Sequence, residues 1–143
     1  MGYLIDSNVF IDAERGRLAL DDLLAAHGDE PFALAAITAS ELLHGVHRAP
    51  TPLIAEQRRA FVEHILAGFA ILPFDLDAAR LHARLWATLQ STGQMIGVHD
   101  LLIAATGLAH SYTVVTRNVR EFARVPGLAV LDPGPWQMPD AGS

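Results

Sequence analysis

The chain contains no cysteine, which excludes disulfides, thiolate metal ligands and cysteine nucleophiles and leaves any metal to oxygen or nitrogen donors. That absence is compatible with a reducing compartment. Lysine is missing as well: all ten basic residues are arginines. A receiver-like signalling module, which also carries an acidic pocket, therefore has no lysine here for its phosphoryl oxygen. Long apolar runs are absent too. The uncharged stretch from His64 through Phe74 is interrupted by glycine, proline and histidine and falls short of the ~20 apolar residues a membrane helix needs. Met1 to Ile5 reach Asp6 with no basic or extended apolar segment, so no secretory signal is read and a cytoplasmic protein without membrane contact is expected.

What the chain does have is apolar content. With 143 residues, 51% of them hydrophobic, it is long enough for one domain with a real core and too short for two ordinary ones. A net charge of −6 argues against a broad basic footprint for nucleic acid but leaves a local one open. The arginines fall in groups, Arg15 with Arg17, Arg58 with Arg59, Arg80 with Arg84, and Arg117 with Arg120 and Arg124. Guanidinium forks suit bidentate phosphate contacts; the same groups also suit solvated helix faces. A mean hydropathy of +0.27 points to apolar surface that an oligomer interface or a partner segment would cover.

Short apolar runs alternate with helix-like ones. Tyr3 to Ile5 is a buried-strand run, followed by a helix through Val9, Phe10, Ile11 and Ala13 that ends at Gly16; Leu18 to Leu24 is a second helix. Phe32 to Ile37 returns as a strand. Thr38-Ala39-Ser40-Glu41 then matches a capping box, with Thr38 as N-cap and Glu41 at its fourth position. Thr51 and Pro52 launch a helix through Leu66, and Phe69 to Leu72 is a third strand. Asp75 or Asp77 caps an amphipathic helix to Gly93, and Leu101 to Leu108 is apolar nearly all round, hence buried. Tyr112 to Thr116 is a β-branched strand, Asn118 to Ala123 a helical turn and Leu128 to Leu131 a last strand. Continuous apolar strands separated by helices predict a parallel sheet covered on both faces. Residues 1–132 read as one domain and 133–143 as a loose tail rich in proline and glycine.

Four acids, Asp6, Glu41, Asp100 and Glu121, sit where strand-like runs give way to helix-like ones. In open parallel sheets ligands bind beyond the carboxyl ends of the strands, and Asp6 and Thr116 lie at such ends. Each acid has a plainer reading, Asp6 and Asp100 as helix caps or first-turn anions and Glu41 as half of its capping box. Together they suit one or two Mg²⁺ or Mn²⁺ ions, which relieve the repulsion among crowded carboxylates. Glu41-x-x-His44-x-x-His47 has helical spacing but departs from the His-Glu-x-x-His zinc pattern. His99 reads as a structural or exposed histidine or as a neighbour of the reacting phosphate. Trp86, Phe61 and Phe69 read as core residues before base-stacking ones.

Asp6-Ser7-Asn8, Glu41 in Thr38-Ala39-Ser40-Glu41-Leu42, Ile96-Gly97-Val98-His99-Asp100 and Val115-Thr116-Arg117-Asn118 with Glu121, in this order, resemble the PIN-domain ribonucleases and, more narrowly, their VapC-type toxins. The resemblance implies a three-layer α/β/α fold with a central parallel sheet of four or five strands. It also implies a Mg²⁺- or Mn²⁺-dependent endoribonuclease blocked by a small antitoxin; the apolar surplus adds the expectation of a homodimer and of an amphipathic antitoxin helix laid across a groove and inserting an arginine into the acidic pocket. Asp6, Asp100 and Glu41 would be the metal ligands, with Asn8 and Thr116 orienting them. The fourth corner falls either to Glu121 or to the neutral Asn118, and the second choice leaves open a PIN-fold metal-binding or interaction domain with weak or no catalysis. Arg117 and Arg120 are the candidate phosphate contacts.

Overall fold

Strand β1 (Gly2–Ile5) lies at the centre of a five-stranded, wholly parallel sheet. The computed structural model describes residues 1–139. After β1 the chain forms α1 (Ser7–Glu14) and α2 (Leu20–Ala26), then β2 (Phe32–Ala35), α3 (Ala36–His47), α4 (Pro52–Gly68) and β3 (Ala70–Leu72). It continues through α5 (Leu76–Ser91), α6 (Val98–His110), β4 (Tyr112–Val115), α7 (Val119–Phe122) and β5 (Val130–Leu131). The strand order is β3-β2-β1-β4-β5, so the chain winds outward one way from β1 and then resumes on its other side at β4. The resulting switch point lies between β1 and β4, where such sheets open a crevice.

Alternation along the strands separates two cores. Leu4, Ala33, Ala35 and Val114 face α5, α6 and α7, while Ile5, Leu34 and Val115 face α1 to α4. All seven side chains are at most 1% exposed, which is why these strands read as continuous apolar runs and not as alternating ones. The three-layer arrangement agrees with the expected architecture. Among the described residues no helix is long and apolar enough to cross a membrane.

Several local expectations are corrected. Strand β2 ends at Ala35, which also serves as the N-cap of α3, so the chain turns helical before Thr38 and no capping box forms. Thr38 is fully buried instead, and its hydroxyl finds no hydrogen-bond partner among the described residues. A lone buried hydroxyl costs more than an apolar group of like shape. Thr38→Val is therefore expected to stabilise the fold by about 1 kcal/mol, raising Tm by about 2–4 °C in a thermal melt. Trp86 is not core: it is 52% exposed on the outer side of α5, edge-on to His82. Phe69 does pack, meeting Phe10 edge to face, and Phe61 is partly buried beside it.

The tail is not loose over its described part. Gly134–Trp136 form a 3₁₀ turn, Gln137 bridges Leu18, and the Met138 amide donates to the Arg17 carbonyl at 2.8 Å. The Trp136 ring stands 5.4 Å from that of His27. Residues 133–138 thus strap the connection between α1 and α2; the rest of the expected tail, from 140 onward, lies outside the described residues.

Candidate metal centre

Asp6 follows the last residue of β1 and caps α1. One carboxylate oxygen accepts the Ser7 amide at 2.7 Å; the other accepts the Thr116 hydroxyl at 2.8 Å and the Asn8 amide nitrogen at 3.3 Å. The plainer capping role and membership of the acid cluster are therefore both real. Thr116 stands at the matching end of β4, fully buried, and its hydroxyl oxygen also accepts from Asn8 and from the Asn118 backbone amide. The switch point thus fixes the rotamer of Asp6 from two sides, the first turn of α1 and the end of β4.

The other acids enter through the same chain of contacts. Ser7 donates its hydroxyl to Glu41 at 3.5 Å. Glu41 lies in the second turn of α3, because that helix starts at Ala36, and its carboxylate is free of any capping duty. His99 Nδ1 is 3.5 Å from its other oxygen. Asn118 donates its side-chain amide to Asp100 at 3.2 Å and to Glu121, while the Gly97 amide donates to the other Glu121 oxygen. Both candidates for the fourth corner are present here: the Glu121 carboxylate lies beside Asp100, and the Asn118 side-chain amide donates to both. Ser7 and Gly97 stand inside the quoted motifs, but the contacts they make, hydroxyl to Glu41 and backbone amide to Glu121, are not ones that a serine after a cap or a glycine announces by itself.

Electrostatics follow from burial and crowding. Burial pushes the Asp6 carboxyl up, against the hydrogen bonds from Thr116 and Ser7. Burial, then the charge of Asp6, raises Glu41. Asp100 is raised furthest, to about 7, by burial and then by Asp6 and Glu121. Glu121 goes the other way: burial alone would raise it, but the Gly97 amide, Asn118, Asp100 and Arg124 hold it below the usual range. Asp100 and Glu121 interact directly and shift in opposite directions as one pair. Three carboxyls raised first by burial and then by one another's charge, in a set of oxygen donors, suit a hard divalent cation. Among the described residues no three acidic or imidazole side chains are grouped closely enough to hold a metal ion as they stand; the acids line a cup at the switch point without closing on a cation.

The arginines expected at the phosphate divide. Arg117 turns away from the cup and places Nη1 2.8 Å from the buried carboxylate of Asp12, where its charge offsets the burial of that acid. Only its backbone amide, donating to Asn8 at 3.3 Å, faces the site. Arg120 is exposed on α7.

Comparison with known proteins places the fold in a family. The PIN domain family matches residues 3–128. Ribonuclease VapC1 of Rickettsia felis is 36% identical over 131 residues, spanning 92% of this chain and 96% of that protein. Ribonuclease VapC5 of Mycobacterium tuberculosis is also 36% identical, over 129 residues, 90% of this chain and 91% of its own. In the crystal structure of VapBC2 from Rickettsia felis bound to a promoter DNA fragment, one chain superposes with a TM-score of 0.84 at 27% identity, covering 92% of this chain and 98% of that one. An acid cup at the switch point of this sheet and identity held over nine-tenths of the length lead to one conclusion: the chain belongs to the PIN-domain family, among the VapC ribonucleases.

Proposed function

We propose that the protein is a Mg²⁺- or Mn²⁺-dependent endoribonuclease acting as the toxin of a VapBC-type pair in the cytoplasm. The observation that carries the metal requirement is the hydrogen-bonded chain joining Glu41, Ser7, Asp6, Thr116, Asn118, Asp100 and Glu121, in which three carboxyls are raised by burial and mutual repulsion. Asp6, Asp100 and Glu41 would hold the cation, with Glu121 as the fourth acid. Once bound, it would polarise the phosphodiester and activate a water nucleophile.

The chain's own residues perform the positioning. Thr116 and Asn8 hold Asp6 in one orientation, a role that outer hydrogen bonds commonly play for ligand carboxylates. Asn118 keeps Asp100 and Glu121 side by side. His99 faces Glu41 from the open side of the cup and is 54% exposed, which leaves it within reach of an incoming substrate. Cleavage of single-stranded RNA is expected with Mg²⁺ or Mn²⁺ and is expected to stop on chelation. Full activity after chelation, or no cleavage of diverse RNAs with either ion, would overturn the reading.

An antitoxin of the VapB kind is the proposed partner, since the matched structure is a VapBC assembly. A groove of about 840 Å³ between α2 and α4 is lined by Leu18, Leu20, Leu24, Phe61, Ile65 and Phe69, with Asp21 and Asp22 also in its lining. Its apolar floor suits one face of an amphipathic helix. A homodimer would cover part of the exposed apolar surface that includes Ile71, Phe74, Leu76 and Trp86.

A further inference from the structure

Beside Glu41 the surface opens into a trough between α1 and α3. Its first part, about 300 Å³, is lined by Ser7, Ser40, Glu41, His44, Arg48 and His99 with Gly45 at its floor. A second depression of about 280 Å³ shares Glu41, Gly45 and Arg48 with it and adds Arg15 and Arg58 against Glu14. Three of the ten arginines thus meet on one side of the acid cup, in a chain whose net charge is −6. Arg58 donates Nη1 to the Gly45 carbonyl at 2.9 Å, and Arg48 is exposed at the C-terminal end of α3, where a cation also suits the helix dipole.

Gly45 is the feature that those local roles leave unexplained. Glycine inside a helix costs roughly 0.5–1 kcal/mol relative to alanine, and proteins usually accept it where a neighbour crowds the backbone. Gly107 in α6 is such a case, since a Cβ there would stand 3.2 Å from Val114. A Cβ on Gly45 would meet nothing within 4 Å, and its φ is not among the positive ones. Neither packing nor backbone conformation demands glycine at this place, yet any side chain would project into the trough.

We propose that this trough is the RNA path: the nucleotide beside the scissile phosphate sits over Gly45, and Arg48 with Arg15 holds the phosphates that follow. The proposal rests on the ribonuclease reading of the cup and replaces Arg117 by Arg48 and Arg15 as the phosphate-binding side chains. Anisotropy of a short fluorescein-labelled single-stranded RNA of mixed sequence, in the Asp6→Asn background that prevents cleavage, reads binding directly. Replacing Arg15 and Arg48 together by alanine is expected to raise Kd roughly tenfold near 0.1 M salt and to flatten the salt dependence by about 0.7 for each phosphate that is no longer neutralised. Gly45→Leu is expected to raise Kd by a similar factor with the salt slope retained, because it blocks space and removes no charge; Gly45→Ala, which suits the helix, checks that the fold tolerates the position. The pair Arg80→Ala and Arg84→Ala on α5 removes the same charge elsewhere and should leave Kd within twofold. Equal weakening by both arginine pairs, or none by the trough variants while wild type cleaves RNA, would overturn the trough and spare the nuclease. A wild type that neither binds nor cleaves RNA would overturn both. Loss of antitoxin binding with RNA affinity intact would assign the trough to the protein partner and overturn the proposal.

Discussion

Asp6→Asn is expected to lower kcat/KM for metal-dependent RNA cleavage by about a thousandfold or more, equivalent to roughly 4 kcal/mol of transition-state stabilisation. Asp6 is 4% exposed and hydrogen-bonded on both oxygens, so its orientation is fixed before substrate arrives. Asparagine keeps the size and one acceptor but removes the charge that a hard cation requires. The fold should survive: the lost charge is one that burial already penalises, and the metal-free protein should melt no lower than wild type. Glu121→Gln provides the contrast. Its carboxylate is held by the Gly97 amide and Asn118, and the change is expected to cost about tenfold, the lower end for groups that support a metal's ligands. Retention of activity within tenfold by Asp6→Asn, with a native melting curve, would remove Asp6 from the site.

The metal-free protein is expected to lose stability as pH rises toward neutrality, and a divalent cation to restore it. Asp100 titrates at about 7 in the fold against an ordinary value of 3.8. Between those values the folded protein keeps a proton that the unfolded chain has released, so the unfolding free energy falls as pH rises from about 4 to 7 and levels off above. Asp6 and Glu41 are shifted in the same direction and add to the slope. Glu121, shifted down, contributes oppositely, its part being lost as pH falls below about 4. Partial solvent access limits the Asp100 contribution to on the order of 2 kcal/mol, or about 4–8 °C in Tm. In scanning fluorimetry with chelator, wild type should therefore melt lower at pH 7.5 than at pH 5, and Asp100→Asn should melt higher than wild type at pH 7.5. Saturating Mn²⁺ should raise wild type at pH 7.5 and much less at pH 5, where protons compete for the same oxygens. A metal-free Tm that climbs from pH 5 to 7.5 would contradict the crowded-carboxylate account.

Local patterns carry most of the architecture because the parallel strands are buried on both faces. Uninterrupted runs such as Tyr112 to Val115 and the cap-and-proline start at Thr51 and Pro52 announce themselves without tertiary help. Asp6 and Asp100 are legible for the same reason, as acids at the turn from strand to helix or at a helix start. Thr38 misleads because a capping box signals a helix start only where the preceding residues are not helical, and Ala36 and Ile37 already are. Trp86 misleads by one residue of phase: α5 buries Ala78, Leu85 and Leu89, and its neighbour Trp86 lies about 100° around the helix. Arg117 pairs with Asp12 across 105 residues, a contact that no local pattern encodes. The strap at residues 133–138 likewise depends on a distant partner, the backbone at Arg17 to Ala19, which composition rich in proline and glycine conceals.

The same separation in sequence has a consequence for synthesis. The hydroxyl that orients Asp6 belongs to Thr116, 110 residues later, and β1 has β4 as one of its two neighbours in the sheet. Chains emerge from the ribosome in order and fold largely as units once their parts are available. A nascent chain halted anywhere before β4 therefore lacks the wall of the cup that Thr116, Asn118 and Glu121 supply. Truncated products of this message are expected to be inert toward RNA, with the hazard confined to chains translated past α7.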